Sequence, residues 1–201
     1  MIVKRIFDIS SALVGLILLS PVYVVIAVLI KIKMPGGPVL FSQKRVGRYG
    51  HLFVMHKFRT MAVNHGGSSI SVKGESRITP LGAVLRKYKL DELPELWNIL
   101  IGDMSLVGPR PDVPGYADKL TGDDRLLLSI RPGLTGPASM KYSDEEEILA
   151  LQPDPRKYND EVLYPDKVRI NLEYIRHWAF WLDIRIILLT LLGRKLDEPW
   201  V

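Results

Sequence analysis

The 22 positions between Asp8 and Lys31 carry no charge and are dominated by Leu, Ile, Val and Ala. A run of that length matches the hydrocarbon thickness of a bilayer if it is helical. A cleaved secretory signal would have a shorter apolar region followed by a small-residue cleavage site, whereas here Lys31 and Lys33 follow directly. A straight spanning helix is opposed by two features. Lys4 and Arg5 precede the run and Lys31 and Lys33 follow it, so positive charge favours neither side of a membrane. Ser20-Pro21 falls near the middle. The proline removes an amide donor and clashes with the carbonyl of Ile17, which predicts a kink there with the Ser20 hydroxyl available to the freed backbone. These residues allow two topologies, a kinked spanning helix or a hairpin that dips into one leaflet and returns both basic ends to the same face.

The remainder reads as an ordinary polar body. Apolar residues make up 47% of the chain and charged residues 24%, with a formal charge of +5. That charge suits nucleic acid, anionic lipid or a phosphate-bearing substrate equally. With no cysteine, thiolate chemistry and disulfide frameworks are excluded. No helix-turn-helix, zinc or aromatic-basic module appears, so nucleic acid is not an expected partner. Turn residues bracket expected strands at 38–43 and 51–59, and the polar stretch 64–76 reads as a mobile loop. Thr79-Pro80 predicts a helix N-cap followed by proline in the first turn, with Leu81, Val84, Leu85 and Tyr88 at helical spacing. Further helices are expected over 90–100, 123–130, 143–151 and 167–177. Residues 178–192 are apolar with Asp183 and Arg185 inside, which suits an interfacial amphipathic helix, with a core helix as the rival. The expected fold class is α/β, mainly helical with a small β-sheet.

The chemistry-bearing segment is Arg86-Lys87-Tyr88-Lys89-Leu90-Asp91-Glu92-Leu93-Pro94-Glu95-Leu96. Cations precede two adjacent carboxylates at an expected helix start. A nucleotide-sugar diphosphate needs cations for its oxygens, usually magnesium, and a nucleophile in line with the breaking bond. An Asp-Glu pair can supply both nucleophile and metal ligand, since magnesium often takes only one or two protein carboxylates. Helix capping is the bland alternative for such a pair.

Context weighs toward chemistry. Lys57-Phe58-Arg59-Thr60-Met61, Leu90-Asp91-Glu92-Leu93-Pro94, Asn98-Ile99-Leu100-Ile101-Gly102-Asp103-Met104-Ser105-Leu106-Val107-Gly108-Pro109-Arg110-Pro111 and Arg131-Pro132-Gly133-Leu134-Thr135-Gly136 occur in that order. Together with Lys4-Arg5-Ile6-Phe7-Asp8, they resemble the small monotopic phosphoglycosyl transferases, a family of bacterial sugar transferases. The resemblance implies a re-entrant membrane helix over 1–34, broken at Ser20 and Pro21, and a cytosolic catalytic domain over 35–201 with an interfacial C-terminal helix. It implies that Asp91 attacks the β-phosphate of a UDP-sugar, releases UMP and holds the phospho-sugar covalently. Polyprenyl (undecaprenyl) phosphate then takes it up, initiating membrane-linked glycan assembly. Glu92 is the second catalytic residue, Asp91 and Glu92 are the implied ligands of magnesium (Mg2+), and Lys57, Arg59, Arg86 and Arg110 are assigned to substrate phosphates. The implied location is the cytoplasmic face of a bacterial inner membrane, on one leaflet. Two departures stand out: Pro137-Ala138-Ser139 replaces a common Trp-Ala-Gln, and Asn171 stands where many members have aspartate. A UDP-sugar diphosphatase and an inactive membrane scaffold are the competing functions. No residue pattern names the sugar or the oligomeric state.

Overall fold

The structure, a computed structural model, describes residues 2–63 and 77–195. The expected mobile loop at 64–76 lies outside the described residues. The chain forms two compact units. One contains the described parts of Met1–Lys44, Val54–Ser69 and Gly74–Gly102, and the other those of Arg45–Phe53 and Asp103–Val201.

The first unit begins with α1 (Ile2–Leu18) and α2 (Ser20–Lys33), which meet at a 60° bend. The Ser20 hydroxyl donates to the Ile17 carbonyl at 2.8 Å, the acceptor that Pro21 leaves without its amide. The bend is therefore a repaired break rather than a disordered joint. No single described helix is long and apolar enough to cross a membrane, but the bent pair together meets that length and composition. Ile26 and Ile30 on one face of α2, and Met34 just past its end, are buried with Phe58 and Leu85, with Tyr23, Leu90 and Leu93 packed alongside. Each fully buried aliphatic side chain of this kind contributes about 1.5–3 kcal/mol. The opposite faces expose Ile6, Leu13, Val14, Ile17, Val24, Val25, Val28 and Ile32. Large apolar patches left to water commonly mark a protein or membrane interaction surface.

Strands β1 (Leu40–Val46) and β2 (Leu52–Phe58) pair with each other. β1 lies later than the expected 38–43, because Pro38 carries no amide donor and its carbonyl is taken by Arg59. Helix α3 (Pro80–Lys87) starts as the sequence predicts, with the Thr79 hydroxyl accepting from the Gly82 amide at 3.0 Å. The expected helix 90–100 is instead divided. Lys89 adopts a left-handed conformation (φ 56°), Leu90–Glu92 form a 3-10 turn, and α4 runs from Glu95 to Ile101. Pro94 lacks the amide that a continuous helix would need there.

The second unit holds a parallel pair that the sequence reading missed. β3 (Ser105–Val107) pairs with β4 (Gly133–Thr135), with Ser105 opposite Gly133 and Val107 opposite Thr135. Three-residue strands flanked by glycine and proline give no alternation to detect. A Cβ on Gly133 would lie 2.1 Å from the Gly108 nitrogen, so this approach of two backbones requires glycine. Short helices α5 (Pro137–Lys141), α6 (Glu145–Ala150) and α7 (Pro155–Tyr158) follow. A π-helical turn, Asn159–Leu163, then leads into α8 (Tyr164–Arg176) and α9 (Phe180–Leu191). The expected helix at 123–130 is a 3-10 segment, Gly122–Ser129.

Val107, Met140, Tyr174 and Ile186 form one buried cluster of this unit, and Val46, Ala117, Leu127 and Leu128 form another. In α9, Asp183 turns inward rather than out, because the Tyr174 hydroxyl (2.5 Å) and the Trp178 indole (3.1 Å) both donate to its carboxylate. Trp181, Leu188 and Leu191 on the other face are exposed. The helix is therefore buried along one face and exposed along the other.

Candidate active site

The left-handed residue Lys89 ends α3 and throws the chain into the tight turn that carries Asp91 and Glu92. Both carboxylates are buried, although neither sits inside a regular α-helix. The turn is fastened from two directions. The Tyr23 hydroxyl, just beyond the break in the apolar pair, donates to the Leu93 carbonyl, and the Tyr23 ring meets Phe58 edge-on. On the other side, Asn98 of α4 is fully buried. Its amide donates to the Val54 carbonyl at 2.7 Å and its oxygen accepts from the His56 amide at 3.3 Å, splicing α4 onto β2. Arg5 of α1 donates to the carbonyls of Ile99 and Leu100 at the C-terminal end of α4, where a cation also meets the helix dipole favourably.

Lys57, at the end of β2, reaches into the carboxylates. Its ammonium lies 2.8 Å from Glu92 Oε1 and 3.2 Å from Glu95 Oε1. Glu95 is 1% exposed, so the site holds three buried carboxylates rather than the two singled out from sequence. The signal was its position four residues after Asp91 and three after Glu92, one helical turn on. Asp91 Oδ1 is buried and accepts no hydrogen bond. Burial first, then the neighbouring Glu92 charge, raises the pKa of Asp91 above the usual carboxylate range; Lys57, Arg86 and Lys89 pull it back. A desolvated carboxylate oxygen with no donor of its own is a better nucleophile than a hydrated one, provided it is ionised.

The remaining assigned cations are placed as follows. Arg86 Nε approaches the Thr60 hydroxyl at 3.3 Å. Arg59 is buried, and its guanidinium donates to the Pro38 carbonyl at 2.7 Å and to the Met34 carbonyl at the end of α2. Gly37 makes room for it, since a Cβ there would lie 2.7 Å from Arg59 Nη1. In this structure Arg59 ties the exit of the apolar pair to the strand that carries Lys57. Arg110 lies in the second unit, exposed, between Pro109 and Pro111. Asn171 is buried on α8 with its Oδ1 unpartnered, and Pro137 and Ala138 are buried in the first turn of α5.

The turn thus holds carboxylates against the Lys57 ammonium and is tied to the apolar helix pair through Tyr23. The chain belongs to the bacterial sugar transferase family, which it matches over residues 1–194. It is 37% identical, over 95% of its length, to a galactosyl transferase, CpsE, of Streptococcus agalactiae. It is 38% identical, over 96% of its length, to a UDP-glucose:undecaprenyl-phosphate glucose-1-phosphate transferase of Xanthomonas campestris. These matches cover only 42% and 40% of those two relatives, so the chain spans about two fifths of their length. A match to an uncharacterized sugar transferase, EpsL, of Bacillus subtilis at 33% identity covers 94% of this chain and 86% of that protein.

Proposed function

We propose that this chain transfers a phospho-sugar from a UDP-sugar to a polyprenyl phosphate, releasing UMP, at the cytoplasmic face of a bacterial inner membrane. The observation that carries the reading is Asp91: a buried carboxylate with one unpartnered oxygen, beside Lys57, Arg86 and Lys89. In the first step an Asp91 oxygen bonds to the β-phosphorus of the UDP-sugar. The bond from that phosphorus to the bridging oxygen breaks, and UMP leaves with the electron pair. In the second step a phosphate oxygen of the polyprenyl acceptor bonds to the same phosphorus, and Asp91 departs as carboxylate. Neither step consumes a proton. Lys57, Arg86 and Arg110 offset the phosphate charge, and Arg59 holds the frame.

Magnesium fits the carboxylates on limited terms. Among the described residues no group of three or more His, Asp or Glu side chains is arranged to hold a metal ion. Asp91 Oδ1 nevertheless lacks a partner, and magnesium commonly binds one or two carboxylates plus substrate phosphate. Asp91 and Glu92 would hold it, and it would neutralise charge on the diphosphate.

The bent apolar pair supplies the location. Its 60° bend and exposed Leu, Ile and Val surface support a hairpin seated in one leaflet, and the exposed face of α9 supports contact at headgroup level. A lipid phosphate acceptor cannot leave that interface.

The test is UMP release from UDP-glucose, UDP-galactose, UDP-N-acetylglucosamine and UDP-N-acetylgalactosamine with magnesium, with and without undecaprenyl phosphate. Acceptor-dependent release that disappears in Asp91→Asn supports the transferase. Full turnover without acceptor would identify a hydrolase, and retained turnover in Asp91→Asn would remove Asp91 from the chemistry.

A further inference from the structure

The loop that carries Arg110 is fastened on both flanks, entirely within the second unit. The Pro109 carbonyl accepts from the Gly133 amide at 2.7 Å. The Pro111 carbonyl accepts from Arg45 Nη1 at 3.1 Å, and the Asp112 carbonyl accepts from the Val46 amide at 2.8 Å. Two of these three ties come from β1, and a third contact on the same flank comes from a side chain: the Tyr164 hydroxyl donates to Asp112 Oδ2 at 3.3 Å. The Tyr164 ring is itself braced edge-on by Tyr116 at 5.0 Å. Arg110 is exposed while its neighbours Pro109 and Pro111 are buried. Pinning the flanking backbone fixes where the Arg110 side chain leaves the loop, which lowers the ordering cost of bringing a guanidinium to a phosphate.

The Asp112 carboxylate differs from the backbone ties because it titrates. Facing it are Lys167 and Tyr164 from α8, Arg45 from β1 and Glu145 from α6. Lys167 is shared, since its ammonium also lies 2.6 Å from Glu145 Oε1. Burial pushes the Asp112 carboxylic acid up to about 6. Lys167, the Tyr164 hydrogen bond and Arg45 hold it down, while Glu145 raises it. Tyr164 itself is raised far above its ordinary value by burial and by Asp112, so it remains a hydrogen-bond donor throughout.

We propose that Asp112 is a positioning residue for Arg110: its ionised carboxylate, held by Tyr164 and facing Lys167 and Arg45, locks the loop in the conformation that grips the substrate diphosphate. Protonation loosens the grip. The inference rests on Arg110 contacting the diphosphate, as the proposed function requires. It makes substrate binding pH-dependent through a residue that takes no part in the chemistry.

The experiment uses full-length protein in lipid nanodiscs, carrying Asp91→Asn so that neither turnover nor Asp91 ionisation contributes. The dissociation constant of the tightest-binding UDP-sugar of the panel above is measured from pH 7.5 to 5.0. A UDP-sugar diphosphate does not titrate in that range. With Asp112 titrating near 6, binding weakens by about tenfold across it. Asp112→Asn binds weakly at every pH, and its profile is flat. Tyr164→Phe removes an interaction that lowers the Asp112 pKa, so the midpoint moves upward. That shift is something a purely structural role would not produce, and it remains readable if Asp112→Asn folds poorly. Arg110→Ala separates the two layers of argument. If Arg110→Ala leaves affinity unchanged, both the phosphate role of Arg110 and this proposal fall. If Arg110→Ala weakens binding but wild-type affinity is independent of pH, or the midpoint ignores Tyr164→Phe, the proposal alone falls.

Discussion

Lys57→Met tests how the carboxylate cluster is held. The Lys57 ammonium lies 2.8 Å from Glu92 and 3.2 Å from Glu95, and the three side chains are 15%, 10% and 2% exposed. At an effective dielectric near 20, a unit pair 4 Å apart attracts by about 4 kcal/mol, and Lys57 makes two closer pairs. Desolvation offsets much of that attraction, so the whole sum is not the expected loss. What methionine leaves is buried Glu92 and Glu95 without the Lys57 ammonium, and removing one partner of a buried pair costs about 3–5 kcal/mol. At about 2–4 °C for each kcal/mol in a chain of this size, the melting temperature should fall by roughly 10 °C. Glu95→Gln in the same background removes one stranded charge and should restore about 2 kcal/mol, so the two substitutions are strongly non-additive. The assay is thermal unfolding in nanodiscs by circular dichroism, for wild type, both single variants and the double variant. A loss below about 1 kcal/mol, the level of an exposed surface pair, would refute the reasoning, as would additive behaviour. Activity supplies a second readout. Lys57 is the foremost group lowering the Asp91 pKa, so its loss moves the acid limb of the pH–rate profile to higher pH.

Asp91→Asn should abolish turnover yet raise the melting temperature at pH 7. Because folding raises the Asp91 pKa, its ionised form is the disfavoured one; the group's stability is complete below its unfolded value near 4 and is lost as pH rises through the folded value. The stabilisation by asparagine should therefore shrink toward pH 4, and a variant less stable than wild type at pH 7 would contradict this. Single cysteines at Val3 and Lys33, introduced into a chain with no native cysteine, should label from the same side of the membrane. Pro21→Ala returns an amide to the Ile17 carbonyl and should straighten the pair, moving part of the population to opposite-side labelling. Asn98→Leu strands the Val54 carbonyl and the His56 amide and should cost about 2–4 kcal/mol in thermal unfolding.

Features that depend on a few neighbouring residues were legible from the chain. The break at Pro21, its repair by Ser20 at Ile17 and the Thr79 cap all follow from local backbone chemistry, because a missing amide or an N-cap hydroxyl acts within four residues. The Asp91-Glu92 pair was visible because its neighbours in sequence are cations. Its setting was not, since the turn replaces a helix only where Lys89 takes a left-handed conformation and Tyr23, about seventy positions earlier, holds Leu93. Likewise β3 and β4 are too short for periodicity and exist because Gly108 and Gly133 let two backbones approach. Asp183 reads as a surface charge until Tyr174 and Trp178 are seen to satisfy it. The amino-acid sequence by itself determined the bent apolar pair, the Thr79 cap and the adjacency of Asp91 and Glu92. Only the tertiary structure decided that Asp91 Oδ1 is buried without a hydrogen bond and that Lys57 meets Glu92 and Glu95. Burial and long-range hydrogen bonds are properties of three-dimensional neighbours, and no window along the chain contains them.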